Sequence, residues 1–491
     1  MCRPPQRIKA AAIVGALLTT GCGGRPRAVP DPPVVRAHDG RAAITLTAAH
    51  RADGRAAFVF DGGDVPPTIR IGPAETLAIH YVNALRAAAP SPGHDGRINM
   101  SNLHFHGLSV SPDRPQDDVL HMMAMPGQTL DYTLTIPPDH SPGLFWYHTH
   151  PHGESYQQVL DGMSGALIVE GIERYAPAVE SMRERVLIIR ADDIEHDPHA
   201  SAKRARVEVE RSPCGESHDQ VDRVFTVNGV LRPEIEMRAG ERQFWRIVNA
   251  APDRYVDIEV PHQRFEVVAY DGFPIGYRDR ANPTRFTNHV LLPPAGRVEA
   301  IVTAPTGEGQ SVFRTRCVAT GIDGDPNPGM TLADIASRQA APSEAADVRL
   351  PRSEPPPTKV VDVEEVKRAP AAFTAVFTEG DHRFYINGRL FSPDAPPMVR
   401  AKVGHFERWR IVNDTREIHP FHLHQAHFLA FLENDRPIHD PQWFDTVNVP
   451  VGGSVDLVMD FTDPVIRGMS VFHCHLLNHE DKGMMAKILF E

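Results

Sequence analysis

Cysteine is scarce in this chain, at five of 491 residues, and methionine numbers only 14. Cations are in deficit: 51 Lys plus Arg stand against 63 Asp plus Glu, a formal net charge of −12. That balance argues against a nucleic-acid partner. Long apolar runs are missing as well. The one apolar stretch of note, Ala10 to Leu18, follows Arg3, Arg7 and Lys9, so residues 1–24 read as an export signal, too short to span a bilayer as a mature helix. No other segment is apolar enough to cross a membrane. Long amphipathic helical stretches are few, whereas short Val/Ile-rich runs are many and Pro and Gly reach 45 and 36. The chain therefore reads as all-β with numerous turns, long enough for three or four domains.

What the chain does have is histidine in tight alternation. The segments are LHFHG (His104, His106), WYHTH (His148, His150), IHPFHLH (His419, His422, His424) and FHCHLLNHEDKGM (His473, Cys474, His475, His479, Met484). Successive side chains of an extended strand face opposite ways, so each HxH pair aims two imidazoles to one side. Imidazole suits copper, zinc, iron and nickel, while a thiolate with two imidazoles and a weak axial thioether makes an electron-transfer copper site. Cys474, His419, His479 and Met484 supply that set. The other eight histidines form four HxH pairs, the arrangement for a second, all-imidazole site bridging two domains. Cys474 lies between His473 and His475, so a bonded path joins the two.

These four motifs closely resemble those of the multicopper oxidase family, in particular its three-domain bacterial laccase and bilirubin-oxidase-like members, over roughly residues 41–491. The resemblance implies three consecutive cupredoxin-like Greek-key β-barrel or sandwich domains and four copper ions. It places the type 1 copper on Cys474, His419 and His479 with Met484 axial. His104 and His422 would hold the type 2 copper, and His106, His148, His150, His424, His473 and His475 the coupled type 3 pair. Structural or zinc-binding histidines are the alternative, but four motifs with correct internal spacing seldom coincide.

The chain also repeats itself. GERQFWRIVN, ending at Asn249, matches GHFERWRIVN, ending at Asn413, and each follows an Asn-Gly turn, Asn228-Gly229 and Asn387-Gly388. In that register His419, His422 and His424 correspond to Tyr255, Ile258 and Val260, and SVFHCH corresponds to SVFRTR, so the middle copy has lost every ligand. The first third repeats more loosely, with Thr149 falling where Cys474 sits. Expected units are a first domain over 41–175 with half of the trinuclear site and a middle spacer domain over 183–335. A Pro-rich connection over 336–370 and a last domain over 371–491 follow, the last carrying the type 1 site and the other half.

Reducing dioxygen to water also needs protons. Glu480, directly after His479, resembles the family's proton-delivering glutamate. Asp117 or Asp118 is where the family places an aspartate facing the type 2 copper, and Asp117 is favoured. The expected reaction takes single electrons from phenolic or similar small donors, near His479 or His419, and delivers them to dioxygen. A cuprous oxidase protecting the envelope from copper is the alternative, though a Met-rich insertion is absent and Met122, Met123 and Met125 read as core. His152 and His427 are candidate neighbours of the ligands; His121 and His196 lack paired spacing. The LTTGC ending suggests lipid on Cys22, with simple cleavage as the alternative, hence an exported protein, periplasmic or at the cell surface. Cys214 and Cys317 could pair. A monomer is expected.

Overall fold

The computed structural model describes residues 27–87, 98–193, 223–278, 285–339 and 361–491. The export segment with Cys22, the residue Cys214, His196 and most of the Pro-rich connection lie outside them. Strands dominate and fall into six sheets that pair into three sandwiches in chain order.

The first sandwich joins a five-stranded sheet, which includes Ser164–Val169, Gly143–His148 and the edge strand His104–His106, to a four-stranded one containing Arg41–His50 and Thr76–Asn83. The second packs an eight-stranded sheet on a five-stranded one between Arg183 and Arg338. The third packs a six-stranded sheet on a five-stranded one whose central strands are Gly468–Cys474 and His419–Leu423. Each sandwich has its own apolar core, with Phe58 and Tyr81, Trp245 and Phe313, and Trp409 and Phe472 as the bulky residues of the three.

The sequence repeat has a structural cause. In all three sandwiches an Asn ends a core strand and ties off the following loop: the amide of Asn83 donates to Asn99 and Ala124 carbonyls, that of Asn249 to Arg254 and Leu292, and that of Asn413 to Glu417 and Val449. Each Asn also accepts from the backbone N–H two residues on, so a buried loop keeps its polar groups paired. The Asn-Gly turns take positive φ at both positions, 52° and 74° at Asn228-Gly229 and 51° and 68° at Asn387-Gly388, as a tight two-residue hairpin turn requires.

Strand pairing then sets the histidines. His104–His106 runs antiparallel to Gly143–His148 with His104 opposite His148, and His419–Leu423 runs antiparallel to Gly468–Cys474 with His422 opposite His473. Directly opposed residues share a sheet face, so each outer sandwich presents its imidazoles together. Two short helices lock the same junction. The carboxylate of Asp481, in the helix Leu477–Asp481, accepts from the backbone N–H groups of Ser155 and Tyr156 at the start of the helix Ser155–Asp161, pairing donors that a helix start leaves free.

Candidate metal centre

Two clusters of ligand atoms form. In the first, the Sγ of Cys474 lies 3.4 Å from Nδ1 of His419 and 4.0 Å from Nδ1 of His479, and the two nitrogens are 3.3 Å apart. The far nitrogens are held from outside: Nε2 of His419 faces the Thr415 hydroxyl at 2.8 Å, and Nε2 of His479 faces Glu417 at 3.3 Å. Both imidazoles thus turn Nδ1 toward the sulfur. Phe384 stacks on His479 with ring centroids 3.7 Å apart. Met484 is fully buried beside them, its carbonyl accepting from the Cys474 N–H and its N–H donating to the His479 carbonyl. Cys474, alone among the described cysteines, is free, whereas Cys317 is disulfide-bonded.

The second cluster lies where the first and third sandwiches meet, and all eight paired histidines enter it. His106, His148 and His475 converge on one point, His150, His424 and His473 on another, and His104 with His422 beside them. Nε2 of His473 is 3.3 Å from Nε2 of His150 and 3.1 Å from that of His424. Rings from the two sandwiches interleave, His104 stacked on His424 and His106 on His422. Trp146 stacks on His148 and closes one side.

The electrostatics suit a cation and little else. Burial, then neighbouring imidazoles, pushes His104, His150 and His424 far below the usual histidine range, and burial lowers His148 to about 3 and His473 to about 4. These rings are neutral at pH 7, with lone pairs free. Several ring nitrogens are buried with no hydrogen-bond partner, among them Nε2 of His104, His148 and His422, Nδ1 of His106 and both nitrogens of His475. Orphaned buried acceptors are costly, and a metal ion satisfies them together. Burial likewise pushes the Cys474 thiol well up, so it is a bound cation that makes it a thiolate. A soft thiolate with imidazoles beside an all-imidazole cluster fits copper.

Carboxylates flank the clusters. Asp117, 1% exposed, accepts from Nδ1 of His104 at 3.0 Å, from the Phe105 N–H and from the Gln425 amide. Asp118 instead bonds Arg114 and His121, away from the imidazoles. Glu480 is buried 3.3 Å from Nδ1 of His473 and 3.6 Å from Nδ1 of His150, and the Ser155 hydroxyl donates to it. Burial and the adjacent Asp481 push Glu480 well above the carboxylate range. His427 reaches the cluster's surroundings through the Asp271 carbonyl, whereas both nitrogens of His152 are buried without a hydrogen bond. Met122 joins the first core while Met125 is exposed. Asp445, Arg297 and Gln425, which also surround the imidazoles, carry no motif spacing and were legible only in three dimensions.

Comparison with known proteins agrees with this geometry. The family models described as multicopper oxidase match residues 44–174 and 352–491. The chain is 22% identical over 437 residues to a multicopper oxidase of Staphylococcus haemolyticus, covering 87% of this chain and 83% of that protein. It is 24% identical over 469 residues to a laccase of Bacillus subtilis, covering 85% and 87%. A variant of the McoA multicopper oxidase of Aquifex aeolicus superimposes with a TM-score of 0.74 at 19% identity, over 95% of this chain and all of that one. The three sandwiches are thus cupredoxin-like.

Proposed function

The chain belongs to the multicopper oxidase family, and from that premise we propose that it is a laccase-like oxidase that takes single electrons from a phenolic or similar small donor and reduces dioxygen to water. The observation that carries this reading is the position of Cys474 between His473 and His475, which joins the thiolate cluster to the imidazole cluster through a few covalent bonds. Cys474, His419 and His479 would hold the type 1 copper, with the thioether of Met484 beside them. His104 and His422 would hold the type 2 copper, and the triads His106, His148, His475 and His150, His424, His473 would hold the type 3 pair. Bound copper supplies the one-electron relay at the first cluster and, at the second, the four-electron reduction that consumes four protons per dioxygen.

The chain's own residues do the rest. His479 reaches the surface through a small niche of about 10 Å³ lined by Asp253, Asp325, Glu417 and Asn478, so its imidazole edge is where a donor meets the protein. The neutral His479 ring turns Nδ1 toward the sulfur, with Nε2 3.3 Å from the Glu417 carboxyl. Glu480 holds a proton beside His150 and His473, and Asp117 fixes Nδ1 of His104 so that Nε2 faces the cluster. Export, with lipid on Cys22, and a monomeric state complete the proposal; these rest on the sequence alone.

The test is spectroscopic and stoichiometric. The copper-loaded protein is expected to be intensely blue, to lose that absorption in Cys474→Ser, and to consume one dioxygen per four donor electrons without releasing peroxide. A copper-loaded protein without the blue absorption, or a Cys474→Ser variant that keeps it, would sink the assignment. A metal-ion donor is the second reading, favoured by the acidic side chains Asp253, Asp325 and Glu417 beside His479. The first two are paired with Arg254 and burial pushes the third up to about 8, so a cation there has to displace an ion pair or a proton. The residues lining that niche include no methionine, so the donor set is hard rather than the thioether kind that suits Cu(I). Phenol turnover that appears only with excess copper would favour a cuprous oxidase instead.

A further inference from the structure

His106 is turned the other way from its neighbours. His104, His148 and His422 each engage Nδ1 with a protein acceptor, respectively the Asp117 carboxylate, the Thr149 carbonyl and the Asp445 carbonyl, and each leaves a buried Nε2 unpartnered. In His106 it is Nε2 that meets a carboxylate, Asp445 Oδ1 at 3.1 Å, and Nδ1 that is buried and unpartnered. A neutral imidazole carries one N–H, and a carboxylate can only accept. Asp445 therefore places the His106 proton on Nε2 and its lone pair on Nδ1, toward His148 and His475.

Asp445 is itself fixed by the sandwich that contributes no ligand. Arg297 of the middle sandwich pairs with it bidentately, Nη1 to Oδ1 at 2.8 Å and Nη2 to Oδ2 at 2.5 Å, both residues having no exposure. The guanidinium is held in turn by the carbonyls of Leu144 and Ala295. A bidentate pair fixes orientation as well as charge. The side chain of Asp445 thus fixes His106 of the first sandwich and its carbonyl fixes His422 of the third, and the two rings are stacked 3.8 Å apart.

We propose that Asp445, clamped by Arg297 of the middle sandwich, is a positioning residue for the imidazole cluster: its side chain orients His106, its carbonyl orients His422, and together they set the separation of the two rings. This rests on the copper assignment made above. Groups that orient a metal's histidines typically contribute 10–100-fold to metal affinity, and the pair joins all three sandwiches at that point.

Two variants test it. Asp445→Asn keeps the shape but leaves an N–H facing either Arg297 or His106. The double replacement Asp445→Leu with Arg297→Met exchanges the buried pair for apolar side chains, a change buried ion pairs often tolerate, and removes the carboxylate acceptor of His106, leaving the Thr446 hydroxyl 3.4 Å from the same nitrogen. Chelator competition should show copper affinity at the imidazole cluster falling about 10–100-fold in both. The ultraviolet absorption and magnetic coupling of the type 3 pair should fall with it, and the blue absorption of the Cys474 site should stay at wild-type intensity. Wild-type affinity and coupling in a folded, blue double variant would overturn the proposal and leave the pair a mere link between sandwiches. A wild-type protein without blue absorption or a coupled pair would instead overturn the copper assignment, so the two failures are told apart.

Discussion

Glu480 and Asp117 meet different histidines of the imidazole cluster, His473 and His150 for the one and His104 for the other, and their surroundings give them different tasks. Burial pushes the Asp117 carboxyl up as it does Glu480, but Asp117 is tied by three hydrogen bonds, from His104, Phe105 and Gln425, the last two opposing that rise, and so works as an orienting group. Glu480 has one donor, Ser155, and its Oε2 has no hydrogen bond, so burial keeps it protonated and ready to give that proton up. Glu480→Gln removes the proton without changing shape. Oxygen consumption with excess donor should fall about 100-fold, while anaerobic bleaching of the blue absorption by the donor keeps its wild-type rate. Equal slowing of both would place Glu480 in donor oxidation and contradict the assignment. At this scale the sequence marked the histidines that the fold brings together, and Glu480 beside them, because each sits in a fixed spacing within its own segment. The adjacent Asp117 and Asp118 could not be separated by spacing, since only the turn after His106 sends one toward His104 and the other toward His121.

The strand His104–His106 owes its following glycine to what packs behind it. Gly107 has φ of +85°, and a Cβ there would stand 2.4 Å from Asp445 Oδ2 and 2.6 Å from Arg297 Nη2. Backbone conformation and lack of space both demand glycine. Gly107→Ala is expected to destabilise the protein by about 3 kcal/mol, combining left-handed strain with overpacking. It should also loosen copper at the imidazole cluster while the Cys474 site keeps its colour. Denaturant unfolding followed by copper analysis checks both parts; a loss below about 0.5 kcal/mol, the size of an ordinary surface change, would show that the turn adapts freely. The glycine of HFHG was visible in the sequence, but its reason was not, because Asp445 and Arg297 lie in other sandwiches. The strand repeat was legible by contrast: GERQFWRIVN and GHFERWRIVN occupy equivalent core strands, Arg242–Asn249 and His405–Asn413, each parallel to an earlier strand and antiparallel to a later one. Local periodicity recorded that pattern, whereas contacts between sandwiches leave no period to read.

At the scale of the whole molecule, the sandwiches bury many imidazoles, in the cluster between the first and third and at separate sites such as His419 and His140, and that fixes how the protein responds to acid. His140, His148, His419 and His473 sit at about 4, 3, 3 and 4 in the fold, each lowered chiefly by burial, against roughly 6.5 in an unfolded chain. Above pH 6.5 neither state binds the proton and these groups cost nothing. As pH falls below 6.5 the unfolded chain takes up protons that the folded chain refuses, so stability drops with pH until the folded values are reached. His140 alone, which is no ligand and accepts from the Ser109 N–H, should cost about 2 kcal/mol at pH 5. The copper-free protein is therefore expected to melt at steadily lower temperature from pH 7 to pH 5. Metal binding stabilises the native state and competes with protons for the same nitrogens, so the copper-loaded protein should hold its melting temperature over that range and fall only at lower pH. Calorimetry of both forms across pH 4 to 8 decides the matter: a copper-free melting temperature that stays flat down to pH 5 would mean that the imidazoles are open to water, and the dry cluster between the sandwiches would have to be abandoned.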